Sequence, residues 1–186
     1  VKTGQDVQLI FNQTPFYGES GGQMGDIGEI KGDGVEIKIT NTIKKGTLHV
    51  HCGQVLAGEN LQIGQALKLT VNEKNRCLLR ANHSATHLLH AVLRRRLGDQ
   101  VTQKGSLVAP DRLRFDFSYA LPIPSQTLYE IEDDVNRLIR ANTEVTTHLM
   151  VPEEAIKAGA MALFGEKYGE EVRVVSMGSE DDPGKS

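Results

Sequence analysis

Two histidines stand at a spacing that suits metal binding. His83 and His87 lie four positions apart inside a strongly helical stretch, which places both imidazoles on one helix face, able to bind one metal ion. Zinc takes four donors, or three with an open position, so further ligands must come from elsewhere. The pattern is also common without a metal, with both rings at a core edge or in solvent. Ser84 stands where a zinc protease has its glutamate, so protease chemistry lacks its general base.

A glycine-rich segment, residues 14–28, is the second candidate. Its glycines let the backbone approach a ligand closely, and Thr14, Ser20 and Gln23 offer donors and acceptors suited to a small hydroxylated group. The segment lacks the Lys-Ser/Thr ending of a phosphate-binding P-loop. Composition alone favours a plainer interpretation, a tight β-turn with a glycine bulge.

Two further features carry weaker signals. Arg94–Arg96 and Lys104 could contact phosphates, yet a basic run near a helix C-terminus also complements the helix dipole and is more commonly solvated. His49 and His51 share one strand face beside Cys52, which would allow a second metal site. A half-exposed strand is the favoured interpretation there.

The predicted secondary structure that must position these residues changes near residue 72, from short strands to a mixture of helices and strands. Residues 1–72 contain short apolar runs between glycines, and two of the runs, Val35–Thr40 and Leu67–Val71, alternate strictly between apolar and polar positions. Such alternation predicts strands with one buried and one solvated face. Closely spaced short strands without helices predict a small barrel or a sandwich.

From residue 73 onward the pattern mixes helices and strands and is typical of an α+β fold. Arg76–Leu97 carries apolar side chains at three-and-four spacing, and Gly98 follows where a C-capping glycine would stand. Ser125 is placed to cap a second amphipathic helix, and Pro152 suits the first turn of a third. The predicted strands are Gly105–Val108, Arg112–Phe117, Glu144–Met150 and Val172–Val175.

Composition limits the class of protein. The chain has 186 residues, 39% hydrophobic and 24% charged, with a formal net charge of −3; these values are typical of a globular protein that does not capture nucleic acid by bulk charge. No run approaches the roughly 20 apolar residues of a bilayer crossing, so we expect a soluble, cytoplasmic protein. The two cysteines form no CxxC pair and imply no disulfide framework. The start at Val1 and the polar run 178–186 are interpreted as cuts in a longer protein.

Five motifs stand out when the chain is considered as a whole: Gln13–Gln23, Asn82–His90, Gln103–Val108, Arg114–Ser118 and Ala162–Gly169. They span nearly the whole chain, and several are too long for coincidence. In this order they resemble the editing region of the alanyl-tRNA synthetase family.

The resemblance implies an α+β fold, in which an N-terminal glycine-rich β-barrel, residues 1–72, precedes an α+β zinc-binding editing domain, residues 73–186. That domain is shared with threonyl-tRNA synthetase and with free-standing editing proteins. The family holds zinc with the helical HxxxH pair, here His83 and His87, and with a Cys and a His of a later CxxxH motif. This sequence stops before such a motif, so two of the four ligands are present.

The resemblance also implies a reaction and residue roles. The reaction is hydrolysis of Ser-tRNA and Gly-tRNA carried on alanine tRNA, because a pocket for alanine discriminates against these amino acids by only roughly 10–200-fold. Thr14 and Gln23 match positions associated with recognition of the wrong amino acid and with hydrolysis, so both are catalytic candidates. Zinc would anchor the substrate and orient the water, or activate that water as a Lewis acid. The expected substrate-binding set is Thr14, Ser20, Gly22, Gln23 and Lys104.

The expected partners are the aminoacylated 3′ end of alanine tRNA and the remainder of the synthetase chain, which would hold the residues for ATP-dependent aminoacylation. Two alternatives stay open. One is a free-standing trans-editing protein. The two ends of the sequence, interpreted above as cuts in a longer protein, argue against it. The other is an inactive tRNA-binding fragment. This alternative would be favoured if neither the chain nor a version extended through CxxxH hydrolysed the esters.

Overall fold

The computed structural model describes residues 1–58, 61–158, 160 and 170–177. These residues form two compact units. The first unit contains Val1–Ser84 and Gly105–Phe115, and the second contains Ala85–Lys104 and the described residues from Asp116 onward. The predicted domain boundary between residues 72 and 73 stays a prediction.

The first unit contains a five-stranded sheet in the order β1-β4-β3-β2-β5, with antiparallel neighbours throughout. Its strands are β1 (Asp6–Ile10), β2 (Gly28–Gly32), β3 (Val35–Lys45), β4 (Leu48–Ala57) and β5 (Lys68–Val71). In β3 the alternation buries Val35, Ile37 and Ile39 and exposes Lys38 and Thr40. The predicted strand with one buried face is therefore confirmed.

The core of this unit joins the sheet to the glycine-rich segment. Ile30 and Val55 pack with the buried side chains of β3, and Phe16 joins the same cluster from the segment that follows β1. Burying each such side chain contributes about 1.5–3 kcal/mol. Because Phe16 is only 2% exposed, core packing holds the start of the glycine-rich segment against the sheet.

The predicted β-barrel is wrong, although the α+β class is confirmed. A barrel requires its first and last strands to pair along their length. In the described part of the chain β1 and β5 form the two edges of the sheet and are not paired with each other. Among the described residues each of these strands, of five and four residues, pairs on one side, β1 with β4 and β5 with β2. The sheet is open.

The long helix α1 (Glu73–Leu97) begins three residues earlier than the apolar pattern predicted. Asn72 supplies the reason, since its side-chain oxygen accepts a hydrogen bond from the backbone N–H of Asn75 at 2.9 Å and so acts as an N-cap. The predicted end of the helix is confirmed. Gly98 adopts a left-handed φ of 100° and its N–H donates to the carbonyl of Arg94 at 2.8 Å.

A two-stranded sheet, β6 (Thr102–Val108) and β7 (Leu113–Ser118), follows as predicted. The next helix, α2 (Ser125–Ala141), corrects one prediction. Ser125 is the first helical residue, because Pro124 adopts the extended conformation of the N-cap and the cap has no side-chain hydrogen bond. Pro124 occupies the N-cap position, and Ser125 therefore lies inside the first helical turn, one residue past the position from which its hydroxyl could cap the helix.

The second unit also contains β8 (Val145–Met150), α3 (Pro152–Lys157) and β9 (Val172–Met177), with β8 and β9 antiparallel to each other. Pro152 occupies the first turn of α3, as predicted. The motif Ala162–Gly169 lies outside the described residues. Among the helices that the structure describes, none is both long and apolar enough to cross a membrane.

Candidate functional site

The backbone on both sides of Gln23 is fixed against β6. The Val108 N–H donates to the carbonyl of Gly22 at 2.8 Å, and the Met24 N–H donates to the carbonyl of Val108 at 3.0 Å. The N–H of Gln23 itself donates to the carbonyl of Ser20 at 3.0 Å. These three bonds leave the Gln23 backbone little freedom, so the fold fixes the point and direction at which its side chain leaves the backbone.

Gly22 is required by the close approach of β6. Its φ is +82°, and a Cβ built there would lie 2.6 Å from the carbonyl oxygen of Ser106. Backbone sits where that Cβ would be, so a flexible side chain cannot simply move away. The glycine-bulge interpretation of the segment therefore accounts for Gly22, whose predicted contact with substrate stays a prediction.

Gln23 and His83 meet, although 60 positions separate them in sequence. The Gln23 Oε1 atom lies 2.6 Å from Nδ1 of His83, and Gln23 is only 7% exposed. Burial lowers the pKa of His83, so the neutral imidazole is favoured. Since an amide oxygen can only accept, Nδ1 of the neutral ring carries the proton. The remaining nitrogen, Nε2, is then the one with a lone pair.

His87 stands one turn further along α1 and is exposed, whereas His83 is half-buried. Both rings therefore belong to one helix at the predicted spacing. Among the described residues, no group of three or more His, Cys, Asp or Glu side chains is arranged to hold a metal ion. The predicted zinc site stays a prediction, with two nitrogen donors supplied by α1.

Thr14 is held by His51, a contact that the sequence did not indicate. Oγ1 of Thr14 lies 2.7 Å from Nε2 of His51, while Nδ1 of His51 lies 3.1 Å from the carbonyl of Leu9. The carbonyl can only accept, so Nδ1 carries the proton and Nε2 accepts the Thr14 hydroxyl hydrogen. The N–H of Phe16 donates to the same hydroxyl oxygen at 3.1 Å. Thr14 therefore has one lone pair left and can offer a ligand only an acceptor.

Thr14 also lines an open groove of about 920 Å³ in the first unit. Residues 10–15 and 64–67 form its walls together with Leu69. None of these lining residues is charged. The remaining acceptor of Thr14 thus lies beside a space that a small uncharged polar group could enter.

His51 is a core residue of the sheet. It is fully buried and makes edge-on contacts with the rings of Phe11 and Phe16, at centroid distances of 5.0 and 5.1 Å. Burial lowers its pKa, which favours the neutral ring. Both ring nitrogens are engaged, with Thr14 and with Leu9. A second metal site with His49 therefore lacks His51 as a ligand, and the half-exposed strand face predicted here is wrong for His51.

Ser20 shares its hydroxyl with Tyr17. The two hydroxyl oxygens lie 2.7 Å apart, and the Tyr17 hydroxyl also lies 3.2 Å from the carbonyl of Ser20. Both residues are half-buried. This pair stiffens the turn that leads to Gln23, and the predicted substrate contact of Ser20 stays a prediction.

Within the second unit, the arginine run at the end of α1 is paired with acidic side chains. Arg95 and Arg96 both bind Asp134, at 3.1 and 2.7 Å, and Arg137 binds it at 2.9 Å. Burial alone would raise the pKa of Asp134, but the hydrogen bonds from these arginines outweigh it and lower the pKa to about 2. Arg95 and Arg96 therefore link α1 to α2, and the phosphate contact considered for this run stays a prediction. Lys104 is exposed on β6, and its predicted contact with substrate stays a prediction.

Comparison with known proteins places these residues in context. Residues 1–75 match the family model of tRNA synthetases class II (A). The alanine–tRNA ligase of Parvibaculum lavamentivorans is 58% identical over 184 residues, which cover 98% of this chain and 20% of that protein. The alanine–tRNA ligases of Rhizorhabdus wittichii and Granulibacter bethesdensis are 61% and 58% identical, over 95% and 98% of the chain. The chain spans about a fifth of the length of the curated relatives it matches. Over almost all of its own length, it is similar to a segment of alanine–tRNA ligases.

Proposed function

We propose that the chain is the editing module of an alanyl-tRNA synthetase and hydrolyses Ser-tRNA(Ala) and Gly-tRNA(Ala). The observation that carries the proposal is the pairing of Gln23 with His83, since it links the glycine-rich segment to the HxxxH pair of α1. A second support is the high identity to alanine–tRNA ligases over almost the whole chain. The glycine-rich segment and the HxxxH pair belong to two of the five motifs that resemble the family's editing region.

Physical chemistry explains why such a module is needed. A site that accepts alanine cannot exclude glycine by size, and it rejects the extra hydroxyl of serine only weakly, with discrimination of roughly 10–200-fold. A second site that hydrolyses the wrong esters removes these errors. The substrates would be aminoacyl esters at the 3′ end of alanine tRNA, and the reaction would be attack of water on the ester carbonyl.

Zinc is the proposed cofactor, held by His83 and His87. The two residues suit a transition metal, because both are imidazoles at the spacing of ligands on one helix. In addition, Nδ1–H of His83 donates a hydrogen bond to Gln23, as the second nitrogen of a metal-binding histidine commonly does to a carbonyl. The other two donors would come from outside the described residues. When bound, zinc would supply an anchor for the substrate end or polarise the ester and the water.

Thr14 is the proposed acceptor for the misattached amino acid. Its proton is donated to His51, so it would accept a hydrogen bond from a serine hydroxyl and offer nothing to the methyl group of alanine. Lys104, which is exposed, would contact the backbone of the tRNA end. The proposed partners are alanine tRNA and the rest of a synthetase chain, in the cytoplasm.

The test is hydrolysis of Ser-tRNA(Ala), Gly-tRNA(Ala) and Ala-tRNA(Ala), with zinc content measured on the same samples. Both this chain and the full-length synthetase that contains it should be assayed, with His83→Ala as the variant that removes a proposed ligand. We expect selective loss of the seryl and glycyl esters with the full-length protein and little with His83→Ala. Full-length protein that binds tRNA but hydrolyses neither ester would contradict editing and support a tRNA-binding module.

A further inference from the structure

Gln23 is a buried amide that contacts His83, 60 positions away in sequence. Gln23 is 7% exposed, and its backbone is held by hydrogen bonds on both sides. A buried amide is unfavourable unless it makes a hydrogen bond. The short contact of 2.6 Å between Gln23 Oε1 and His83 Nδ1 satisfies that requirement.

This contact selects one form of the imidazole. The amide oxygen of Gln23 accepts and cannot donate, so the proton of a neutral His83 ring resides on Nδ1. Nε2 is then the unprotonated nitrogen. Histidines that bind metals commonly donate their other ring N–H to a carbonyl or a carboxylate, which fixes both the tautomer and the orientation of the ring. Gln23 supplies such a carbonyl.

We propose that Gln23 is a positioning residue, which holds His83 in the Nδ1–H tautomer with Nε2 presented to a divalent transition metal. The inference rests on the proposed function, since it deepens the role of the same site. This role differs from direct recognition of a serine hydroxyl by Gln23, because it acts through the amide oxygen that contacts His83. Gln23 acts on the reaction through His83.

The two roles predict different substrate dependence. A residue that recognises the serine hydroxyl matters for Ser-tRNA and has no partner on Gly-tRNA, because glycine has no side chain. A residue that orients His83 affects both esters by the same factor, since both use the same ligand. In the full-length synthetase, Gln23→Leu should therefore lower kcat for both esters about equally. A loss confined to Ser-tRNA would overturn the positioning role.

The direct measurement needs no tRNA. Long-range ¹H–¹⁵N spectra of the 186-residue chain report which nitrogen of each histidine is protonated. We expect Nδ1–H for His83 in the wild type, a redistribution toward Nε2–H in Gln23→Leu, and retention of Nδ1–H in Gln23→Glu, which keeps an oxygen acceptor. His51 is an internal control, because its Nδ1–H donates to Leu9 and does not depend on Gln23. Its unchanged signal shows that a variant is folded.

Zinc titration of the full-length protein completes the test. Loss of a hydrogen bond behind a metal-binding histidine typically lowers metal affinity about 10–100-fold, and we expect that loss for Gln23→Leu. Met24→Leu, at the neighbouring position where the side chain is 40% exposed, should leave the affinity unchanged. A wild-type His83 protonated on Nε2 would overturn the inference, whatever the variants do. So would a folded Gln23→Leu with unchanged tautomer and zinc affinity. Both readouts stand apart from deacylation, so failure of editing and failure of the inference can be told apart.

Discussion

Oδ1 of Asp26 accepts a hydrogen bond from Nε of Arg76 at 2.8 Å, and Asp26 is completely buried. The same guanidinium donates to the carbonyl of Pro15 at 2.9 Å, and the N–H of Tyr17 donates to Asp26 at 2.6 Å. Pro15 and Asp26 lie near the two ends of the glycine-rich segment. One arginine of α1 therefore holds both ends of the segment that carries Gln23.

Removing Arg76 should strongly destabilise the protein. Arg76→Ala leaves the Asp26 carboxylate buried without its counter-charge, and breaking a buried pair from one side costs about 3–5 kcal/mol. The measurement is the free energy of unfolding from urea titration. Arg80→Ala, at an exposed position of the same helix, is the control and should change stability by less than about 0.5 kcal/mol. Equal effects of the two substitutions would contradict the role assigned to the ion pair.

Adding a methyl group at Gly22 should be more damaging than adding one at Gly21. Both have positive φ, which costs an alanine about 1–2 kcal/mol. Only at Gly22 does the new Cβ also meet backbone, at Ser106, whereas nothing lies within 4 Å at Gly21. We expect Gly22→Ala to lose about 1–3 kcal/mol more than Gly21→Ala in urea unfolding. Similar losses at both positions would show that β6 moves aside.

Thr14 should discriminate between the two proposed substrates. Thr14→Val keeps the shape of the side chain and removes the hydroxyl, so it should lower Ser-tRNA(Ala) hydrolysis by roughly 5–150-fold, the equivalent of about 1–3 kcal/mol. Hydrolysis of Gly-tRNA(Ala) should stay within about twofold, because glycine has no hydroxyl to present. Thr14→Ser, which restores the acceptor, should recover most of the activity. Equal loss on both esters would assign Thr14 a structural role through His51.

Acid should remove the contribution of Asp134 to stability. Its pKa is lowered to about 2 from an ordinary 3.8. A lowered carboxyl pKa stabilises the folded state above the unfolded-state value, and this contribution disappears as the pH falls from about 4 to about 2. With allowance for screening around partly exposed arginines, Asp134→Asn should lose about 1–2 kcal/mol at pH 7.

The measurement for Asp134 is the unfolding free energy of wild type and Asp134→Asn across this pH range. The two curves should differ most near neutral pH and converge near pH 2. Asp133→Asn is the matched control, because Asp133 is the exposed neighbour on the same helix. A constant gap between wild type and Asp134→Asn down to pH 2 would contradict the linkage.

Local backbone patterns were readable from the sequence alone. Alternation in Val35–Thr40 predicted β3, three-and-four spacing predicted α1 up to Gly98, and Pro152 predicted the start of α3. Such signals depend on residues a few positions apart and on the torsions that each residue type allows. Where they failed, another local rule had prevailed, as when Pro124 took the N-cap position that was expected for Ser125.

The sequence by itself determined the α+β class, the helical HxxxH pair and the glycine-rich segment, because each follows from period or composition along the chain. Only the tertiary structure decided that Gln23 meets His83, that His51 holds Thr14, and that the sheet stays open. Each of these pairs joins residues 37 or 60 positions apart. Contacts at such separation depend on strand order and register, which bring distant backbone together, and no local periodicity encodes them.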